Sequence, residues 1–210
     1  MERIEDLKNK IVYVNAAFFH PPWLGRLSLA RLIASQRQWQ LVQAHSLESL
    51  TSMDLSSVAA LVLYVHQQTL SAEALSRLDK FVGEGGGLLG VHSATASFKT
   101  SAHYFEIIGG QFSGHGPVQS FTLTPTAQVE PAFAQVGAFT VTDELYLHDM
   151  RADVQVQFES IYNNKPVPVV WTRGYGEGRV CYACPGHRSA TMTNPAYREV
   201  IVEGLRWVVN

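Results

Sequence analysis

The chain has 210 residues, of which 46% are hydrophobic, and a formal net charge of -2 at pH 7. This is enough apolar material to predict one domain over residues 1–210 that folds without a disulfide or a structural metal. Basic and acidic residues are nearly balanced and scattered, which argues against nucleic-acid or membrane partners. The charged first residues and the absence of a long apolar run predict a cytoplasmic protein.

The first half of the chain alternates between strand and helix patterns. Apolar, β-branched runs predict strands at residues 10–15, 39–44, 58–65 and 88–91. Helical spacing runs from Ser28 through Ile33, and a second helix begins after the N-cap Ser71 and ends at Gly83. The continuously apolar run at 58–65 is typical of a strand covered on both faces, which favours a parallel sheet.

The second half, from about Pro117, has shorter strands that look partly antiparallel. Runs at residues 118–124, 155–162, 167–172 and 179–183 carry this pattern. Asn194 and Pro195 are typical of a helix start, and an apolar stripe continues to Val208. Together these elements predict an α/β fold, with one mostly parallel sheet between two layers of helices and β insertions in the second half.

Histidines follow four of the predicted strands. They are His20, His66, His92 and His187. In an open α/β sheet the ligand crevice lies beyond the carboxyl ends of the strands. We therefore expect several imidazoles to meet at one edge of the sheet.

The segment at residues 85–97, GGGLLGVHSATAS, has the shape of a nucleophile elbow, in which a buried strand turns abruptly into small residues. The residue at the bend is His92, and Ser93 stands one position too late for G-x-S-x-G. Serine-hydrolase chemistry is therefore not supported. A helix stop followed by a tight turn is the alternative explanation of the glycine run.

Four segments together resemble the ThuA-like, trehalose-utilisation family: GGGLLGVHSAT at 85–95, YFEIIGGQFSGHGP at 104–117, DELY at 143–146 and PVVWTRGYGEGRVCYACPGH at 168–187. The resemblance implies a flavodoxin-like, class I glutamine amidotransferase-like three-layer fold and a role in sugar metabolism. Amidotransferases carry a catalytic cysteine where this chain has His92, and a glutamate where it has Ser189. Without the thiolate and the carboxylate, glutamine hydrolysis is excluded.

The resemblance also implies a set of site residues. The candidate catalytic residues are His92, His115, Glu144 and His187, and the candidate substrate-binding residues are His20, Ser93, Asp143 and Tyr146. His115 stands between two glycines, which predicts an exposed loop. Asp143 has a second interpretation, as a turn or cap residue. His66 and His148 are expected to support the site, and His45 and His103 to be incidental.

Histidines with one carboxylate suit general acid–base catalysis near neutral pH, or the binding of a divalent metal such as zinc, and their spacing does not choose between these. We expect an enzyme that hydrolyses, eliminates from or isomerises a keto-sugar derivative, with Glu144 or His187 as base and His92 as acid or metal ligand. A non-catalytic sugar-binding or regulatory module, and an interaction subunit or homo-oligomer, remain alternatives.

Two weaker patterns argue against other chemistry. No G-x-G-x-x-G follows the first strand, so the chain is not expected to bind a nicotinamide cofactor. Cys181 and Cys184 satisfy C-x-x-C but lie on a predicted strand, so a structural role is expected rather than a redox one.

Overall fold

The computed structural model describes residues 8–15, 21–67 and 69–210. The helices are α1 (Trp23–Ala34), α2 (Ala72–Gly83), α3 (Ala102–Ile108) and α4 (Pro195–Val209). The strands are β1 (Lys10–Val14), β2 (Gln40–Ala44), β3 (Val58–Leu63), β4 (Gly87–Val91), β5 (Gly110–His115), β6 (Gln119–Pro125), β7 (Phe139–Asp143), β8 (Tyr146–Met150), β9 (Gln155–Tyr162), β10 (Lys165–Tyr175) and β11 (Gly178–Ala183).

The main sheet has nine strands in the order β2-β1-β3-β4-β11-β10-β9-β6-β7, and β5 pairs separately with β8. Strands from β2 to β11 are parallel, whereas β10, β9, β6 and β7 continue the sheet in antiparallel pairs. The prediction of an α/β fold is confirmed, but that of a mostly parallel sheet is wrong. Tight hairpin turns join β9 to β10 and β10 to β11, and such turns connect only antiparallel neighbours. One of them, between β9 and β10, has positive φ at both Asn163 and Asn164.

Helices cover both faces of the central strands. In β4, a Cβ on Gly87 would lie 2.6 Å from Val208 of α4, whereas a Cβ on Gly90 would lie 2.7 Å from Ile108 of α3. Residues an odd number apart on a strand point to opposite faces, so α3 and α4 pack on opposite sides of the sheet. Every residue of β3 and β4 is accordingly buried.

Both predicted helix starts are confirmed by their capping bonds. The Ser71 side chain accepts the Ala74 N–H at 3.1 Å, and the Asn194 side chain accepts the Tyr197 N–H at 3.1 Å. Among the described residues, no helix is both long and apolar enough to cross a membrane.

Candidate functional site

The bend after β4 is the centre of the site. His92 has φ 48°, a left-handed conformation that is uncommon outside glycine, and it opens a short 3₁₀ helix at His92–Ala96. The loop after β11 packs closely against His92, since a Cβ on Gly186 would lie 2.6 Å from the His92 Cβ. The strand therefore turns sharply at His92, as the elbow pattern predicts, and the opposing loop requires glycine at 186.

The imidazole of His92 is fully buried and has fixed partners. Its Nδ1 donates to the Cys184 carbonyl oxygen at 2.9 Å, and its Nε2 lies 3.0 Å from the Tyr146 hydroxyl. Because a carbonyl oxygen only accepts, Nδ1 carries a ring hydrogen, and in the neutral form of the ring Nε2 accepts from Tyr146. His92 thus joins the ends of β4 and β11 to the start of β8.

Glu144 lies among three histidines. One carboxylate oxygen, Oε2, is 3.2 Å from His187 Nδ1 and 3.8 Å from His92 Nε2. The other, Oε1, is 3.8 Å from His115 Nδ1. These histidines come from the end of β4, the end of β5 and the loop after β11, so the structure brings together all four residues predicted to be catalytic. His115 is the last residue of β5, which corrects the prediction that it lies on a loop.

Asp143 is fully buried beside Glu144 and faces the protein interior. Its Oδ1 accepts the backbone N–H groups of Glu144 and His187, each at 2.8 Å. Its Oδ2 accepts the Arg188 N–H at 3.2 Å and the Thr191 hydroxyl. This carboxylate therefore holds the backbone of two site residues in place, which matches the turn-residue interpretation of Asp143.

A cleft of about 260 Å³ opens over these residues. It is lined by His66, Ala96, Lys99, Phe112, His115, Glu144, Tyr146 and His187. Phe112 packs against Tyr146 with ring centroids 4.5 Å apart, and Lys99 lies over the Phe112 ring. Burial, and then the charge of Lys99, lower the pKa of His66. The cleft has an aromatic wall and a polar floor, as small-molecule sites do.

Comparison with known proteins places the chain in a family. The family model ThuA, described as trehalose utilisation, matches residues 10–208. The chain belongs to the ThuA family. A putative ThuA-like protein from Parabacteroides merdae ATCC 43184 has a similar structure, with a TM-score of 0.85 and 15% identity over 96% of this chain and 90% of that one.

Further structures resemble this ThuA-family chain. A putative ThuA-like protein from Bacteroides uniformis ATCC 8492 has a TM-score of 0.80 and 16% identity over 99% of this chain and 93% of that chain. A cytoplasmic protein from Salmonella typhimurium LT2 has a TM-score of 0.68 and 13% identity over 95% and 99% of the two chains. At these identities the likeness shows the fold alone. No curated protein matches the chain.

Other residues predicted for the ThuA-family site differ in placement. Ser93 is fully buried at the elbow, and its hydroxyl has no hydrogen-bond partner among the described residues. His20 lies outside those residues. Cys181 and Cys184 are buried thiols, and burial raises the pKa of each, as expected for structural cysteines. The Cys184 sulfur accepts the Tyr146 N–H at 3.3 Å, so it helps to hold the site.

Two of the remaining histidines of this ThuA-family chain have well-defined partners. His148 Nε2 lies 3.1 Å from the Thr95 hydroxyl, and burial lowers the pKa of His148 to about 3. His103 forms an exposed pair with Asp79 at 3.3 Å. Sequence reasoning missed Lys99 and Phe112. Each lies within or beside a segment that carries the family resemblance, but neither residue type suggested a catalytic or binding role.

Proposed function

We propose that this ThuA-family chain is an enzyme of carbohydrate metabolism that moves protons on a keto-sugar derivative bound in the cleft. The observation that carries the proposal is the Glu144 carboxylate, which lies within 3.8 Å of the ring nitrogens of three histidines. Such groups exchange protons near neutral pH, which suits proton abstraction next to a carbonyl. The proposed reaction is accordingly an isomerisation, an elimination or a hydrolysis, and not glutamine hydrolysis.

The contacts suggest a role for each residue. Glu144 is the proposed base, with His187 as the alternative. His115 Nδ1 donates to the Gly116 carbonyl at 2.6 Å, so its hydrogen stays there and Nε2 is the nitrogen that exchanges protons with the ligand. His92 lies behind Tyr146 and Glu144, and it acts by positioning them unless a metal is bound. Tyr146, as a wall of the cleft, is proposed to contact the sugar.

The strand order supports the proposed relation to flavodoxin-like and amidotransferase-like folds. The parallel strands β2-β1-β3-β4-β11 have the order 2-1-3-4-5 of that class, in which ligands bind at the carboxyl ends of the strands. A cytoplasmic location, the absence of nucleic-acid, membrane and nicotinamide partners, and formation of a homo-oligomer are kept as predictions. The likeness to a Salmonella protein described as cytoplasmic supports the first of these.

A non-catalytic sugar-binding or regulatory module is the second candidate. The aromatic wall formed by Phe112 and Tyr146 favours it, because aromatic side chains offer sugars an apolar packing surface without any chemistry. The replacement of the amidotransferase nucleophile by His92 favours it as well.

Solvent deuterium exchange tests the proposal. The protein is incubated in D₂O with trehalose oxidised to a ketone at one ring carbon, and products and deuterium content are followed by mass spectrometry. We expect deuterium next to the carbonyl, and exchange at least about 100-fold slower in Glu144→Gln and His115→Gln. His103→Gln, at a surface pair, is the matched control and should match the wild type.

Two outcomes decide between the candidates. If neither trehalose nor its ketone gains deuterium or changes, the proposed activity is wrong for this substrate class. If calorimetry then shows that either sugar binds without reacting, the binding module is supported instead.

A further inference from the structure

We propose that His92, Glu144 and His187 form a site for one divalent transition-metal ion, for which zinc is the best match. Each offers one ligand atom, and the three atoms lie within 4.8 Å of one another. This inference deepens the proposed function, because the site opens on the same cleft, but it can be tested without a substrate.

The distances between the ligand atoms are close to those of a zinc site. Zinc binds nitrogen and oxygen at about 2.0–2.2 Å, so tetrahedral ligands lie about 3.3–3.5 Å apart. Glu144 Oε2 is 3.2 Å from His187 Nδ1 and 3.8 Å from His92 Nε2. The His187 side chain is 36% exposed and the His92 side chain is fully buried. The longer distance is the one to the buried His92, so the small closing movement falls on the Glu144 and His187 side chains.

The hydrogen bonds of His92 orient it as a metal ligand. A metal-bound histidine usually donates its other ring N–H to a carbonyl or a carboxylate, as His92 Nδ1 does to Cys184. Nε2 is then the acceptor nitrogen of the neutral ring, and it lies 3.8 Å from the Glu144 carboxylate. A divalent cation held between these two groups would be attracted by both.

Tyr146 does not block this site. Its hydroxyl lies 3.0 Å from His92 Nε2, but it also has the Glu144 carboxylate as an acceptor, and the charge and hydrogen bond of Glu144 add to burial in raising the pKa of Tyr146. When a metal takes the lone pair of Nε2, the hydroxyl can therefore donate to Glu144 instead.

Asp143 fixes two of the proposed ligands relative to each other. A single oxygen, Oδ1, accepts the backbone N–H groups of both Glu144 and His187. Ligands held in this way lose little freedom when a metal binds. The fold thus prepares the site before a metal arrives.

His115 is not a member of the metal site. Its Nδ1 hydrogen is donated to Gly116, and it lies beside the other Glu144 oxygen, Oε1. Three protein ligands with a fourth position toward the cleft are typical of catalytic rather than structural zinc. A metal there would polarise an oxygen of the bound sugar. With Glu144 and His187 serving as its ligands, His115 would be the group that transfers the proton. Two imidazoles also disfavour Mg²⁺, which prefers oxygen ligands.

Zinc titration of protein stripped with a chelator tests this site. Calorimetry should give one Zn²⁺ per chain and no heat with Mg²⁺. The melting temperature should rise by about 5–10 °C at a zinc concentration about 100 times the Kd. Glu144→Gln and His187→Ala should weaken zinc binding by more than about 100-fold, since loss of a ligand exceeds the roughly 10–100-fold effect of an outer partner. His103→Ala and His115→Gln should bind zinc as the wild type does.

The results separate the two proposals. Failure to bind zinc, or equal affinity in Glu144→Gln and wild type, would overturn the metal site, and deuterium exchange in such a protein would leave the proposed function intact. Zinc binding that depends on Glu144 and His187, without exchange on the keto-sugar, would support the metal site and contradict the proposed activity. Glu144→Gln is the main variant because it keeps the size of the side chain, whereas replacing the buried His92 endangers the fold.

Discussion

Replacement of Asp143 by asparagine tests how the site is held. The wild-type carboxylate accepts four hydrogen bonds, from the N–H groups of Glu144, His187 and Arg188 and from the Thr191 hydroxyl. Asparagine keeps one acceptor oxygen for the first two, but its NH₂ group cannot accept from Arg188. The Thr191 hydroxyl can reverse and accept from the new amide.

The magnitude follows from these bonds. A hydrogen bond to a charged acceptor contributes about 1.5–3 kcal/mol, against about 0.5–1.5 kcal/mol for a neutral one. The bonds from the Glu144 and His187 N–H groups therefore weaken by about 1 kcal/mol each, and the Arg188 N–H loses its bond. Removal of a buried charge offsets part of this loss. We expect Asp143→Asn to lower the free energy of unfolding by about 2–4 kcal/mol, and the melting temperature by about 4–16 °C at this chain length.

Urea unfolding and thermal melting followed by circular dichroism measure this loss. Asp149→Asn, at an exposed carboxylate in β8, is the matched control and should not change either midpoint. Zinc affinity is the second readout, because loosening Glu144 and His187 should weaken binding by roughly 10–100-fold. A stability loss under about 0.5 kcal/mol, the range of ordinary surface substitutions, would refute the assignment of Asp143 as the residue that organises the site.

Two further predictions concern the elbow and the cleft. Gly186→Ala places a Cβ 2.6 Å from that of His92 and should lower the free energy of unfolding, measured by chemical denaturation, by about 1–3 kcal/mol. The control Gly137→Ala, whose Cβ has nothing within 4 Å, should leave it unchanged. Equal stability of the two variants would contradict the close packing at Gly186. Lys99→Gln should raise the pKa of His66 in an NMR titration, because the Lys99 charge lowers it after burial. A lowered pKa makes protonation of the folded state unfavourable, so stability falls as pH drops below about 6.5, and this fall should be smaller in Lys99→Gln. An unchanged pKa of His66 would show that burial alone sets it.

The central strands and the helix caps were predictable from sequence because their signals are local. Apolar runs predict the central strands, and the side chains of Ser71 and Asn194 each accept a hydrogen bond from the backbone N–H three residues ahead. His115 was misplaced because its flanking glycines suggest a loop, whereas pairing opposite Tyr146 in the β5–β8 ladder makes it a strand end. That pairing is non-local and leaves no pattern in either segment.

The different positions of Asp143, which is buried, and Glu144, which lies among the histidines, could not be predicted because they too depend on non-local contacts. Adjacent carboxylates look alike in a sequence, and what separates them is the loop after β11, whose His187 N–H reaches Asp143 from 44 residues away. The return of that loop buries one carboxylate and leaves the other among the histidines. Only the folded chain distinguishes the carboxylate that holds the backbone of the site from the carboxylate that lines the cleft.

The strands between β4 and β11 in the chain, β5 to β10, form an inserted segment that supplies most of the side chains of this site. The parallel half supplies His92 at the elbow and His187 after β11, but Glu144, Tyr146 and His115 all come from the inserted segment between those strands. Tyr146 occupies the space in front of His92, with ring centroids 4.3 Å apart. A nucleophile at the elbow would face this ring and a carboxylate instead of an open crevice. The inserted segment therefore supplies most of the polar groups of the cleft, and the bend in the parallel sheet anchors them through His92.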